Sequence, residues 1–470
     1  MVTLEDGPED LSNSGVANSV HPHQNSRMKT IPSPLPFSLA ISFLASTSFA
    51  AAVNDRESAV RQDKATMEND ARWGYNDVQR GFAEAKRTGK PLLVVLRCVP
   101  CHSCAGIDAA VLTEPTLTPL LDQFVCARVI NANSLDLSLF QFDYDLSLSA
   151  LIFNADGTVY GRFGSWTHQK NQHDKSTAGF KRALETALEI HRGYPANKTS
   201  LAGKQGAPTP YKTPVNIPTL DGKYRMQLDW QGKVVPSCVH CHQISDAQRV
   251  NYRKKNEPIP SELIYPMPAP DTLGLTLAQE AAAKVESVRA GSAAERAGFK
   301  AGDDIVSVAG QRPISIADVS WALHRSPASG SLNALVKRGS EEKSLELELP
   351  PGWRSKSDIS RRVGTWEMRM MATGGLLLED LSDAERNNRS VKNESLALLV
   401  KHVGEYGKHA AAKKAGFKKG DVIVEIDGLT DRHTEGEVIG RLLQKHRVGE
   451  QVKATILRGQ ERIELTLPMQ

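Results

Sequence analysis

The sequence predicts a multidomain chain, an α/β unit in front and two α+β modules behind. Three observations predict it. The chain has 470 residues, more than one core accommodates, and length alone suggests roughly three domains. Residues 71–193 alternate helical and strand patterns. Residues 271–470 carry one pattern twice.

Composition narrows the function classes. The chain is 40% hydrophobic and 24% charged, as globular proteins are, and its net charge is only +4. No basic block dominates, so nucleic-acid binding has no electrostatic footprint. Six cysteines are too few to staple a chain of this size, so their clustering is what carries information.

Residues 1–27 are polar and read as a disordered or mis-started extension. Met28-Lys29 opens a short basic region, Leu35 to Ser48 is apolar and rich in small residues, and Ser48-Phe49-Ala50 fits a small-x-small cleavage rule. Residues 28–50 therefore read as a secretory signal peptide cleaved after Ala50. The alternatives are a buried helix or a membrane anchor, but the apolar run is short for a bilayer. No later stretch is apolar enough to span. The expectation is a periplasmic or secreted bacterial protein without a membrane span after signal removal, in a compartment where cysteines can oxidise.

Within residues 71–193, Asp77 to Thr88 has helical spacing, with Val78, Phe82 and Ala85 on one face. Gly89-Lys90-Pro91 stops it. Leu92 to Leu96 is a continuous apolar run, as expected for a central strand covered on both sides. Phe124 to Ile130 is a second strand. Ala150 to Phe153 and Val159 to Phe163 flank Asn154-Ala155-Asp156-Gly157, a hairpin signal. Ala178 to His191 closes the unit as an amphipathic helix. Residues 194–220 are rich in Pro, Lys, Thr and Gly and read as a linker, and residues 221–270 are too short for a core of their own.

The repeat comes next. Ala297-Gly298-Phe299-Lys300-Ala301-Gly302-Asp303 returns as Ala415-Gly416-Phe417-Lys418-Lys419-Gly420-Asp421. Ala334 to Gly339 returns as Ala454 to Gly459, and the order of strands, turn, helix and hairpin agrees. These features resemble PDZ domains, most of all those of bacterial periplasmic proteases, over residues 271–352 and 364–470. The resemblance implies sheets rolled into partly open barrels with helices. It also implies a groove in which a protein or peptide partner adds a strand to an open edge. Amides of Leu273-Gly274-Leu275 and of Gly374-Gly375-Leu376 would receive a terminal carboxylate. Val319 and Leu323 in one copy, and Val438 and Leu442 in the other, would line the pocket; ordinary core is the competing reading. The second copy departs from the pattern with a polar insertion, Ser382 to Glu394, and a longer turn at Gly404 to Lys408. No serine-nucleophile turn precedes the modules, so a proteolytic role is not expected.

Strand Leu92 to Arg97 runs into Cys98-Val99-Pro100-Cys101-His102-Ser103-Cys104, and a helical stretch follows. A helix N-terminus stabilises a thiolate, and a second cysteine one turn on can resolve a mixed disulfide. The placement resembles a thioredoxin-like fold, and Ile107-Asp108 and Val111-Leu112 resemble its thioredoxin-seven group. The resemblance implies Cys101 as attacking thiol, Cys104 as resolving thiol, and Cys98 as an extra partner. A static disulfide or inert thiols are the competing reading. Two positions depart from thioredoxins: Ser149 stands where a cis-proline is usual, and Pro100 where a tryptophan is usual. Cys126 reads as buried core.

A second cluster is Cys238-Val239-His240-Cys241-His242. Cys-x-x-Cys-His in an exported protein is the attachment signal for covalent c-type haem, with Cys238 and Cys241 as thioethers and His242 on the iron. Met267 is the better placed distal ligand, with His240 the other candidate. A local disulfide or a zinc site competes with haem. The whole order resembles the bacterial thioredoxin-seven/PDZ domain-containing (seleno)protein family. In relatives a selenocysteine can replace a cysteine, which implies redox chemistry in such a cluster. Together these observations lead to an exported thiol–disulfide redox protein that recruits protein partners through its PDZ domains. The alternative is a non-catalytic adaptor or a haem-bearing electron carrier.

Overall fold

The computed structural model describes residues 44–99, 114–165 and 177–470, with side chains from residue 56 onward. Residues Ala52–Gln470 belong to one compact unit. Helix α1 (Leu44–Met67) continues past Ala50, the expected cleavage point. Among the described residues no helix is long and apolar enough to cross a membrane.

Strand β1 (Trp73–Tyr75) leads to helix α2 (Val78–Thr88). The Asp77 carboxylate accepts from the Arg80 amide at 2.9 Å and starts α2. Gly89 ends it in a left-handed conformation, φ 71°. Then follow β2 (Leu92–Arg97), β3 (Val125–Val129), β4 (Leu148–Phe153), β5 (Val159–Phe163) and α3 (Thr177–Arg192). The sheet order is β1-β3-β2-β4-β5, so β2 is central. β1, β3 and β2 run parallel; β4 and β5 are antiparallel. Leu93 and Val95 pack with Phe180 and Leu184 of α3, while Leu92, Val94 and Leu96 face Phe82 and Ala85 of α2. Both faces are covered, which is why the β2 run is apolar throughout.

Residues 194–220 differ from the expected loose linker. They turn in short 3-10 segments with Leu201 and Ile217 buried. Lys204 is fully buried, and its Nζ stands 2.6 Å from Asp318 Oδ2. A Pro- and Lys-rich stretch shows no period, yet it packs when a distant carboxylate neutralises its buried charge. Residues 221–270 have no separate core. Their helix α4 (Cys241–Lys254) supplies Ile244 and Ala247 to a cluster shared with Leu137 and Ile217.

The first repeat holds β6 (Leu275–Leu277), β7 (Val285–Val288), β8 (Asp304–Val308), α5 (Ile316–His324), β9 (Gly330–Arg338) and β10 (Glu341–Leu349). The second holds α6 (Thr365–Thr373), β11 (Leu376–Asp380), β12 (Leu398–Val403), β13 (Val422–Ile426), α7 (Glu435–Lys445), β14 (Gln451–Arg458) and β15 (Glu461–Pro468). The sheets of both copies are not closed into barrels. The first copy splits into β6–β7 and β10-β9-β8, and the second is one open antiparallel sheet, β11-β12-β13-β14-β15.

The duplication extends to side-chain geometry. Arg338 holds Asp303 through two 2.7 Å bonds and the Gly298 carbonyl at 2.8 Å. Arg458 holds Asp421 through two 2.8 Å bonds and the Gly416 carbonyl at 2.8 Å. The insertion in the second copy is ordered. Ser382 and Glu385 form a capping box on a short helix, and buried Arg386 bonds the carbonyls of Leu381, Lys392 and Ser395.

Candidate functional site

Cys101 and Cys104 lie outside the described residues; Cys98 lies inside them, directly after β2. Its amide donates to the Ser147 carbonyl at 3.3 Å, which makes Ser147 the residue opposite Cys98. Ser149 sits two residues further along, in β4, paired with Leu96 and with its hydroxyl buried.

The second cysteine cluster packs on this same end of the sheet. Cys98 Sγ stands 3.5 Å from His240 Nδ1. Cys238 Sγ donates to the Ile130 carbonyl at 3.5 Å, just past the end of β3, and shares an apolar cluster with Val99 and Trp230. Cys241 packs on the cluster of Leu96, Val129 and Phe140. One side chain that the sequence reading missed holds the turn in place. Buried Asn133 donates to the carbonyls of Arg225 (2.6 Å) and Ser237 (2.8 Å) and accepts from the Val239 amide (2.7 Å). The only sequence signal was an Asn-Ala-Asn run after a strand. Glu57 of α1 adds a second tie, accepting from the amides of Val234 (3.2 Å) and Val235 (3.0 Å).

The electrostatics follow from this packing. Burial pushes the Cys238 and Cys241 thiols up to about 12. Burial, with His242 and Arg56 nearby, brings His240 down to about 4, so its ring is neutral at physiological pH. Burial works against the charged form of His242 too, but the Asp246 carboxylate, 3.1 Å from its Nδ1, outweighs it and raises the pKa.

The residues around the motif do not fit a covalent haem. A haem needs open space against both sulfurs, and Cys238 instead packs at the Ile130 carbonyl and Cys241 on the apolar cluster of Leu96, Val129 and Phe140. Met267 is not brought to His242. It lines a separate small cavity with Ser149, Arg162 and Phe163. Among the described residues no three His, Cys, Asp or Glu side chains converge to hold a metal ion. Cys126 is buried in the core, as expected, and desolvation pushes its thiol up to about 12.

Leu273, Leu275, Val319 and Leu323 line one small cavity in the first copy. Gly274 takes φ 96°, and its amide is already bonded to the Asp271 carbonyl at 3.0 Å. In the second copy Leu376, Val438 and Leu442 lie in one core cluster. Gly374 and Gly375 take φ 63° and 92°, and the Gly375 amide caps α6 at the Arg369 carbonyl, 3.0 Å away. The Glu435 carboxylate, buried against Arg369 at 2.6 Å, takes the Leu378 amide of β11 at 2.7 Å. The second groove is therefore closed at that point by its own helix.

Family models match the chain in three places: a thioredoxin-like model over residues 73–155, and PDZ-domain models over 284–338 and 390–469. Among curated proteins, none matches. Similar solved structures include the HtrA-type protease AlgW with decapeptide, at 16% identity and TM-score 0.19 over 29% of this chain and 40% of that one. Another is AlgW with tripeptide, at 16% identity and TM-score 0.18 over 28% and 41%. The chain thus spans about two fifths of the length of those proteins. The chain carries one thioredoxin-like domain and two PDZ domains, a redox fold joined to protein-interaction modules, in the combination that the thioredoxin-seven/PDZ resemblance implied.

Proposed function

We propose that the protein is an exported thiol–disulfide redox protein that brings protein partners to its cysteines through PDZ domains. The observation that carries this reading is the meeting of Cys98, Cys238 and His240 at one end of a thioredoxin-like sheet. Such a position suits disulfide exchange, because the sheet end is where chain segments from elsewhere in the fold can present a sulfur. Cys101 attacks a substrate disulfide and Cys104 resolves the mixed disulfide. The PDZ domains supply a partner by strand addition, with the first copy the better suited because the second keeps its Leu378 amide occupied. The signal segment directs the chain to an oxidising compartment.

The test is reduction of a protein disulfide such as that of insulin by the exported, full-length protein. Cys101→Ala is expected to lower the rate at least a hundredfold while thermal stability holds. Unchanged reduction by that variant would remove the catalytic assignment.

A further inference from the structure

The pair Cys238 and Cys241 has no task in the reaction above, although two residues near it are spent on fixing its position. Cys238 reaches the Ile130 carbonyl, Cys241 packs under Leu96, and His240 between them faces Cys98. Val99, next to Cys98, shares an apolar cluster with Cys238. The two segments are 142 residues apart in sequence between Cys98 and His240, so local chain geometry does not explain the meeting. Asn133 and Glu57 pin this turn on both sides with bonds to its backbone. A turn held only for packing needs no cysteines; two thiols three positions apart at the start of α4 can close a disulfide.

We propose that Cys238 and Cys241 form the dithiol that resolves disulfides made at Cys98. The inference deepens the thiol–disulfide reading and rests on it. The steps balance. A protein disulfide first exchanges with Cys98, which gives one substrate thiol and a Cys98–substrate disulfide. Cys238 then attacks the Cys98 sulfur; the Cys238–Cys98 bond forms, and the second substrate sulfur leaves as a thiolate and is protonated. Cys241 attacks Cys238; the Cys238–Cys241 disulfide forms, and Cys98 leaves and regains a proton. Two electrons pass from the pair to the substrate, and the two protons come from the Cys238 and Cys241 thiols. Burial suits the role. Protonated, half-buried thiols react slowly with disulfides in bulk solution, whereas a disulfide held at Cys98 has the advantage of proximity.

The full-length exported protein carrying Cys101→Ser and Cys104→Ser tests this, because only Cys98, Cys126, Cys238 and Cys241 then remain. The reduced protein is exposed to oxidised glutathione, quenched with an alkylating agent and mapped by mass spectrometry. Residues 234–249 form one tryptic peptide, so the Cys238–Cys241 disulfide appears there as a loss of two hydrogens. That species is expected to form, and to form at least tenfold more slowly after Cys98→Ser. A Cys241→Ser change is expected to accumulate peptides joined through Cys98 and Cys238. Oxidation of the pair at the same rate without Cys98 would overturn the proposal. So would a Cys241→Ser protein that holds only glutathione on Cys98. Neither outcome touches the role of Cys101, which the insulin assay reads separately.

Discussion

Asn133 is the residue on which the cysteine turn hangs. Its one amide group makes three bonds, to Arg225, Ser237 and Val239, and it is fully buried. Removing it leaves two carbonyls and an amide without partners, each costing about 1–3 kcal/mol. Asn133→Ala is expected to lower stability by about 2–4 kcal/mol. It should also raise the alkylation rate of Cys238 and Cys241 in the folded state severalfold, measured by quenched-flow thiol labelling. An unchanged labelling rate would mean that the turn stands without it. A second residue-scale prediction concerns Asp303. Its bonds to Arg338, then the Lys300 amide, hold its carboxyl below the usual carboxylate range. A depressed native pKa gives stability that is fully present above the unfolded value, near 4, and lost as pH falls through the native value. The stability gap between the native protein and Arg338→Met should therefore be full at neutral pH and narrow as pH falls below about 4. Parallel urea titrations across pH read it directly. The Asp303–Arg338 pair repeats as Asp421–Arg458, and both aspartates were legible in the duplicated motif. The Cys98–His240 contact was not, because nothing in either segment's spacing encodes a partner 142 positions away.

At the scale of elements, the periodic segments were legible and the aperiodic ones were not. α2 was readable from Val78, Phe82 and Ala85, and β2 from its unbroken apolar run, because each pattern reports the layer that covers it. The outer face of α5 packs against β5 and residues 194–220: Asp318 accepts from the Arg162 amide at 3.0 Å, and Trp321 Nε1 donates to the Gly203 carbonyl at 2.8 Å. Gly161 of β5 permits the approach, since a Cβ there would stand 2.5 Å from Ile314 Cδ1. The docking centres on Lys204 and Asp318, whose side chains are 0% and 1% exposed. Burying both ions is costly, and losing one partner leaves the other charge uncompensated. Lys204→Ala is expected to cost about 3–5 kcal/mol. Pairing Lys204→Met with Asp318→Leu should cost less than the sum of the single changes. Equilibrium denaturation of the four proteins gives the coupling energy, and additive single effects would show that the pair is not the anchor.

Across the whole molecule, the connecting segments behave as part of the core. Arg362 holds Asp143 of the α/β unit through two bonds, at 2.7 and 2.8 Å, and the Gly364 amide donates to Asp145 at 3.1 Å. Arg253 of α4 donates to the chain's final carbonyl, that of Gln470, at 2.9 and 3.1 Å. Tyr265 donates to the Gly436 carbonyl of α7 at 2.8 Å. These bonds tie the thioredoxin-like domain and residues 221–270 to the second PDZ domain and the segment before it, and Lys204 with Asp318 ties residues 194–220, which composition alone presents as a linker, to the first. The PDZ helices are thus held at a set distance from the sheet end that carries Cys98. Modules on a flexible tether would melt separately and be cut first between them. Here the whole of Ala52–Gln470 is expected to unfold in one transition by calorimetry, with calorimetric and van't Hoff enthalpies in agreement. Limited proteolysis of the native protein should spare residues 194–220. Two resolved transitions together with early cleavage in that stretch would return it to the status of a tether. Lys204→Ala should move the protein toward that behaviour, because it removes the one charge that the segment contributes to the buried seam.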